Sequence, residues 1–338
     1  GTGPYMYQGD FDGSVYTFVR NPYYWGEAPE ADTFKIKVIS DNDAKVLALR
    51  SGEIDAITGA ARLSADAYTE LSADSSFGTA INDEPTLTNY IGFNMAKEPF
   101  DDKNVRLAVE YAIDRDSISN DVFQGTMTPA ETLFSKSKPY CDVDATVYSY
   151  DPDKAAQLLD EAGWLMGSNG IREKDGQKLN LDLLYNSDSV TEKSIAEYLQ
   201  SEYQSIGIAL NIHGEEEQSY RDNMKAGNFS MVFNICWGMP YDPQSSLAAM
   251  RAPVYGDFAA QQGLEDKTEI DDAITKILVS TDETERQELY TYVLTRLHED
   301  AVYIPLTYEC NKAIYRSDLK GFHFTQTQYE VPFQDFSF

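Results

Sequence analysis

The strongest constraint on this chain is a stretch in which the spacing of apolar residues keeps changing period. In KLNLDLLYN, Leu179, Leu181 and Leu183 alternate, the two-residue repeat of a strand with one buried face. EKSIAEYLQSEYQSIG then places Ile195, Leu199, Tyr203 and Ile206 on one helical face, and IALNIHG returns to alternation through Ile208, Leu210 and Ile212. A further helical stretch, EQSYRDNMKAG, leads into an apolar strand at 231–235. Strand, helix, strand, helix, strand in this order is the pattern of parallel strands joined by crossover helices. The fold class is therefore α/β.

The flanking sequence extends the pattern. PYMYQGDFDGSVYTFVRNPYY reads as two aromatic-rich β runs about a Gly and Asp turn. FKIKVIS is a strand, NDAKVLALRSG a helix capped by Asp41 and closed by Gly52, and EIDAIT a strand, so 34–58 has βαβ character. TNYIGFNM is the next strand. Beyond Pro99, Val105, Ala108, Val109 and Ala112 share a helical face behind Asp101 or Asp102. In YDPDKAAQLLDEAGW, Asp151 is an N-cap, Pro152 the first helical residue, Ala155, Leu158, Leu159 and Ala162 the apolar stripe, and Gly163 the stop. Helices around EIDDAITKILV and ERQELYTYVLTRLHED and a strand AVYIPLTYE follow. A chain of 338 residues, 42% of them apolar, has enough to bury in two lobes.

Ligands in open α/β sheets sit beyond the carboxyl ends of the strands. Where the strand at 231–235 stops, the sequence continues through Cys236, Trp237, Tyr241, Asp242 and Pro243. Asp242 and Pro243 read as the N-cap and first residue of a helix through PQSSLAAM, whose free amides favour a nearby carboxylate. Trp237 and Tyr241 offer flat walls for a ligand, the phenol adding a hydrogen-bond handle. The competing reading is that both rings pack the loop and that Asp242 is a cap alone.

Composition removes other classes of function. Asp and Glu number 56 against 27 for Lys and Arg, and a net charge of -29 repels phosphate backbones and anionic lipid, so nucleic acid is not an expected partner. No segment reaches the roughly 18 consecutive apolar residues of a membrane helix. Cys141, Cys236 and Cys310 lie far apart without CxxC spacing, which indicates neither a zinc knuckle nor a disulfide framework; one disulfide stays open, and Cys236 reads as a small core residue. GxSxG, GxxxxGK[ST] and HExxH are missing, the carboxylates of 215–217 read as a solvated acidic run, and no catalytic residue is assigned. His213, His298 and His323 have no mutual metal spacing and read as surface or core side chains. The start at GTGPY, without Met or signal peptide, reads as a processed or excised chain.

GTGPY, RNPYYWGEAP, ALRSGEIDAI, YIGFNMAKEPFDDKNVRLAVEYAIDRDSI, YDPDKAAQLLDEAGW and LHEDAVYIPL resemble, in that order, successive signatures of the peptide and nickel class of ABC-importer solute-binding proteins. IREKDGQKL, CWGMPYDPQ, MRAPVYGDFAAQQGL and DETERQELY are more similar to its nickel-binding branch. The resemblance implies a bilobed, type II periplasmic-binding-protein-like fold that closes by a hinge and is truncated at its N-terminus. It implies 1–88 as the remainder of lobe one, 89–300 as lobe two with 236–255 as a ligand-wall loop, and 301–338 as the return to lobe one. It further implies a monomer without cofactor, placed outside the cytoplasm in the periplasm or lipid-anchored on a Gram-positive surface, with an ABC permease as partner.

Residue by residue, Trp237 and Tyr241 match positions that line the nickel binders' pocket. Tyr255 stands where that branch offers a histidine ligand, and a phenol is a poor substitute for imidazole at an open metal site, so no metal ligand is assigned. Pro240 stands where the peptide branch carries an acidic residue for the ligand's α-amine. A nickel or other metal chelate, held by a small organic carrier, meets both departures: helix-end amides, Arg251 and aromatic walls recognise the carrier instead of the ion. The expected ligand contacts are Trp237, Tyr241, Tyr255 and Arg251. Oligopeptide or dipeptide binding within the same class is the alternative, with haem a further candidate ligand; a non-transport surface protein or an enzyme is the remote one.

Overall fold

The computed structural model describes residues 1–9, 13–59, 63–237, 243–325 and 330–338, apart from the side chain of Trp237. Within it the chain divides into two units, Gly1–Thr86 with Cys310–Phe338, and Leu87–Glu309. Both changes of unit fall inside a strand; the resemblance had placed them at 88 and 300.

In the first unit β1 (Tyr5–Tyr7), β2 (Val15–Arg20) and β3 (Thr33–Lys37) form an antiparallel sheet. Its aromatic residues account for the strength of the hairpin signal: Phe18 stacks on Phe34 with centroids 4.7 Å apart, and Phe34 stacks in turn on Phe333 at 4.0 Å. Helix α1 (Asn42–Ser51) starts where Asp41 accepts a 2.7 Å bond from the Ala44 amide, and stops at Gly52, whose φ of 74° is left-handed. β4 (Ala56–Gly59) and α2 (Ala65–Ser72) follow, and Leu49, Ile57, Leu71 and Ile314 share a small core. The expected βαβ unit over 34–58 is not formed. β3 belongs to the three-stranded sheet, whereas β4 pairs antiparallel with Lys312–Tyr315. Periodicity identifies a strand and its buried face but not its neighbour, which long-range contacts choose.

β5 (Phe77–Phe93) extends well before TNYIGFNM; its first part alternates partly buried and exposed residues, and its last eight residues are all buried. In the second unit come α3 (Lys103–Tyr111), capped by Asp102, α4 (Arg115–Ser117), β6 (Met127–Pro129) and α5 (Pro152–Glu161), capped by Asp151. β7 (Leu165–Met166), β8 (Arg172–Lys174) and β9 (Gln177–Lys178) make a small antiparallel sheet.

The regular run then appears as read: β10 (Asn180–Asn186), α6 (Val190–Ser205), β11 (Ala209–Glu215), α7 (Glu217–Ala226) and β12 (Met231–Trp237). After it lie α8 (Gln244–Ala249), α9 (Gly256–Ala260), α10 (Lys267–Ile277), α11 (Glu283–Glu299) and β13 (Tyr303–Arg316). The strand order in this unit is β11-β10-β12-β5-β13, with β6 beside Thr307–Glu309. β10 is parallel to both β11 and β12, and β12 is antiparallel to β5.

That order has a consequence for function. The chain leaves β10 to one side for β11, then returns past β10 to β12. Right-handed crossovers, the rule for parallel strands, place α6 and α7 on opposite faces of the sheet. Leu184 accordingly packs with Tyr220 and Met224 of α7, while its neighbour Leu183 points to the other face. Ile195, Leu199 and Tyr203 of α6 are fully buried, each large apolar side chain contributing about 1.5–3 kcal/mol. The carboxyl ends of β10 and β12 thus flank a switch point, where the two helices diverge and leave a crevice.

Candidate functional site

The crevice holds a cavity of 280 Å³. It lies beyond Asn186, the last residue of β10, and Asn234 to Cys236 near the end of β12, between the first turns of α6 and α7. Its volume is close to the lower bound of small-molecule sites, about 300 Å³.

Each polar group is placed by local structure. Ser189 caps α6 by accepting from the Glu192 amide at 3.2 Å, and Glu192 reaches back to accept a 2.7 Å bond from the Asn186 amide. This is a capping box whose carboxylate overshoots the N-cap and ties α6 to the end of β10. Burial pushes the Glu192 carboxyl up to about 7 against the lowering effect of the Asn186 amide, with the charge of Glu217 adding to the rise. Glu217, the first residue of α7, accepts from Asn186 Nδ2 at 2.5 Å and from Nε of Arg221, one turn further along. The Arg221 guanidinium is raised above its ordinary value chiefly by that bond to Glu217, with the Tyr255 phenol a smaller cause. Tyr255 precedes α9 in extended backbone, its ring 40% exposed at the cavity.

The inner wall is a buried network. Asp257 accepts from Tyr90 Oη at 2.7 Å and from Asn234 Nδ2 at 3.1 Å. Gln261 Nε2 donates to Tyr303 Oη at 2.7 Å. Burial raises the Asp257 carboxyl in spite of these donors. α9 reaches this wall because Gly256 lets its start lie on β12: a Cβ there would come within 3.1 Å of Val232 Cγ1.

Of the residues expected from sequence, Tyr255 lines the cavity. Arg251 donates from Nη1 to Thr275 Oγ1 at 2.7 Å and is not among the lining residues. The backbone of Trp237 pairs opposite Leu87, but its side chain lies outside the described residues, as do Pro240, Tyr241 and Asp242. The helix expected after Asp242 begins at Gln244. Cys236 lines the cavity as a buried thiol that donates to the Leu133 carbonyl at 2.9 Å, and burial pushes it up to about 11. None of the three cysteines, all among the described residues, forms a disulfide. The three histidines lie apart: His213 beside Asp182 at 3.0 Å, His298 stacked on Tyr148, and His323 near Asp335 at 3.6 Å.

Sequence reasoning missed Asn186, Glu192, Glu217, Arg221 and Asp257. A signal existed for the first three. The carboxyl-end rule that singled out the loop after β12 applies equally to β10, and the helix-start acids follow each parallel strand.

Comparison with known proteins supplies a second line of observation. The family described as bacterial extracellular solute-binding proteins, family 5 Middle, matches residues 1–257. The chain is 38% identical over 336 residues to the nickel-binding periplasmic protein of Escherichia coli K12, covering 99% of this chain and 64% of that protein. It therefore spans less than two thirds of that relative's length. Among solved structures, NikA from Brucella suis in complex with Fe(III)-EDTA is 39% identical with a TM-score of 0.96, over 100% of this chain and 68% of that one. NikZ from Campylobacter jejuni in complex with Ni(L-His) is 26% identical with a TM-score of 0.81, over the same shares.

Proposed function

Because the chain belongs to the bacterial extracellular solute-binding proteins of family 5, we propose that it is part of the solute-binding component of an ABC importer, and that its cavity receives a small metal chelate, nickel held by an organic carrier. The observation that carries this reading is the chemistry of the wall at the switch point. Phenols, two side-chain amides and a guanidinium converge there. Such groups grip the carboxylate and amine of a carrier by hydrogen bonds and leave the ion to the carrier's own donors. The relatives solved with Fe(III)-EDTA and Ni(L-His) hold cargo of this kind.

Tyr255 forms part of the wall, and in this reading Trp237 and Tyr241 are further ligand contacts, whereas Arg251, bonded to Thr275, does not line this cavity. The protein acts outside the cytoplasm, in the periplasm or anchored to the cell surface, and as a monomer hands its cargo to the permease without covalent chemistry. The division of the chain into two units suits the hinge closure that such delivery requires.

The test is native mass spectrometry of the protein purified from its source medium. A nickel isotope pattern together with an organic carrier is expected. Recovery of a peptide ladder would overturn the chelate reading in favour of the peptide branch.

A further inference from the structure

We propose that Arg221 is the specificity-determining residue of this cavity, its guanidinium taking a carboxylate of the bound solute while Glu217 acts as its positioning residue; the inference rests on the reading that the cavity receives a carboxylate-bearing carrier.

The plainest account of Arg221 is a helix-surface ion pair with Glu217 at i,i+4, worth about 0.3–0.5 kcal/mol and of no consequence for binding. Three observations go beyond it. Glu217 is itself held from a different element by Asn186 Nδ2 at 2.5 Å, so its carboxylate is a fixed acceptor. Tyr255, from a third element just before α9, lines the same cavity. A strand end and a helix start thus fix one long side chain that is still 48% exposed and lines the cavity. Arginine carries five N–H donors in a rigid fork, and the bond from Nε to Glu217 leaves donors for a planar, two-oxygen partner.

Charge balance in the cavity agrees. Glu217 pairs with Arg221 in the resting site. Of the other two carboxyls of the wall, Glu192 is pushed up to about 7 by burial, and Asp257 is engaged by donors from Tyr90 and Asn234. Among the described lining residues, Arg221 carries the positive charge. An incoming carboxylate meets that charge at the rim, where a solute first desolvates.

Calorimetric titration of the protein with nickel and L-histidine, nickel and L-histidinamide, and nickel-free citrate tests this. Histidinamide keeps the imidazole and amine that chelate nickel and replaces the carboxylate by a neutral amide. Wild type is expected to prefer the histidine carrier, and Arg221→Gln to weaken it by at least about tenfold, the scale of a lost charge-assisted bond, with the histidinamide affinity unchanged. Arg221→Lys should recover part of the loss. Equal loss for both carriers, or an Arg221→Gln affinity within about twofold of wild type, overturns the assignment while leaving the cavity's function intact. Citrate binding that Arg221→Gln abolishes, with no uptake of either nickel carrier, supports Arg221 and overturns the chelate reading. Wild type that binds none of the probes overturns both.

Discussion

Replacing Glu192 by Gln isolates one buried carboxyl whose titration should be visible in the stability of the whole protein. The side chain is 9% exposed, and its carboxyl moves from an ordinary 4.5 to about 7, with burial the largest cause. The folded protein therefore holds this proton more tightly than the unfolded chain. Folding takes up a proton between those two values, so the stabilisation is full below pH 4.5, falls as pH rises through the window and is gone above about 7. At about 1.36 kcal/mol per pH unit the loss is roughly 3 kcal/mol across the window. Glutamine keeps an oxygen for the Asn186 amide and has no charge to bury. The stability of Glu192→Gln relative to wild type should therefore climb by roughly 2.5 kcal/mol from pH 5 to pH 8, part of the change lying below pH 5. Guanidinium unfolding at several pH values and constant ionic strength measures the difference, in which groups common to both proteins, such as Glu110, cancel. Curves that stay parallel to within about 0.5 kcal/mol, the usual scale of a surface substitution, would refute the assignment of a buried, proton-holding Glu192.

Two further outcomes follow from the core of the second unit. Arg115 donates to Glu110 at 2.6 Å and to the carbonyls of Pro305 and Tyr148, and burial pushes Glu110 up to about 7 even with that partner. Arg115→Met should cost about 3–5 kcal/mol in urea unfolding at pH 8, and less at pH 5 where Glu110 is neutral; a cost equal at both values would contradict a charged pair. Leu199→Ala, in the fully buried stripe of α6, should cost about 2–5 kcal/mol, read as a lower thermal midpoint with native far-UV circular dichroism.

What the sequence disclosed about the fold depended on how far each signal had to reach. Asp41, Asp102 and Asp151 were legible as caps because each bonds an amide two or three residues away. The run from β10 to β12 was legible because period and element length are local. Sheet partners are not local. β3 and β4 enclose a helix in sequence yet sit in different sheets, and the polar first part of β5, interrupted by Asp83, Glu84 and Pro85, lacks the apolar alternation that marked its second part.

The site shows the same limit at higher stakes. The loop after β12 is singled out by its strand end, and Arg251 is added as a guanidinium able to recognise the carrier. The described wall is built instead by the order β11-β10-β12, which returns the chain past β10 and sets the starts of α6 and α7 beside the same hollow. Glu192 and Glu217 read in isolation as ordinary helix-start acids, and Arg221 as an ordinary i,i+4 partner. Only the switch in strand order turns those caps into a lining. A residue's helical role and its ligand role are therefore not alternatives here: the bonds that brace Glu217 at the start of α7 are the ones that hold Arg221 at the cavity's edge.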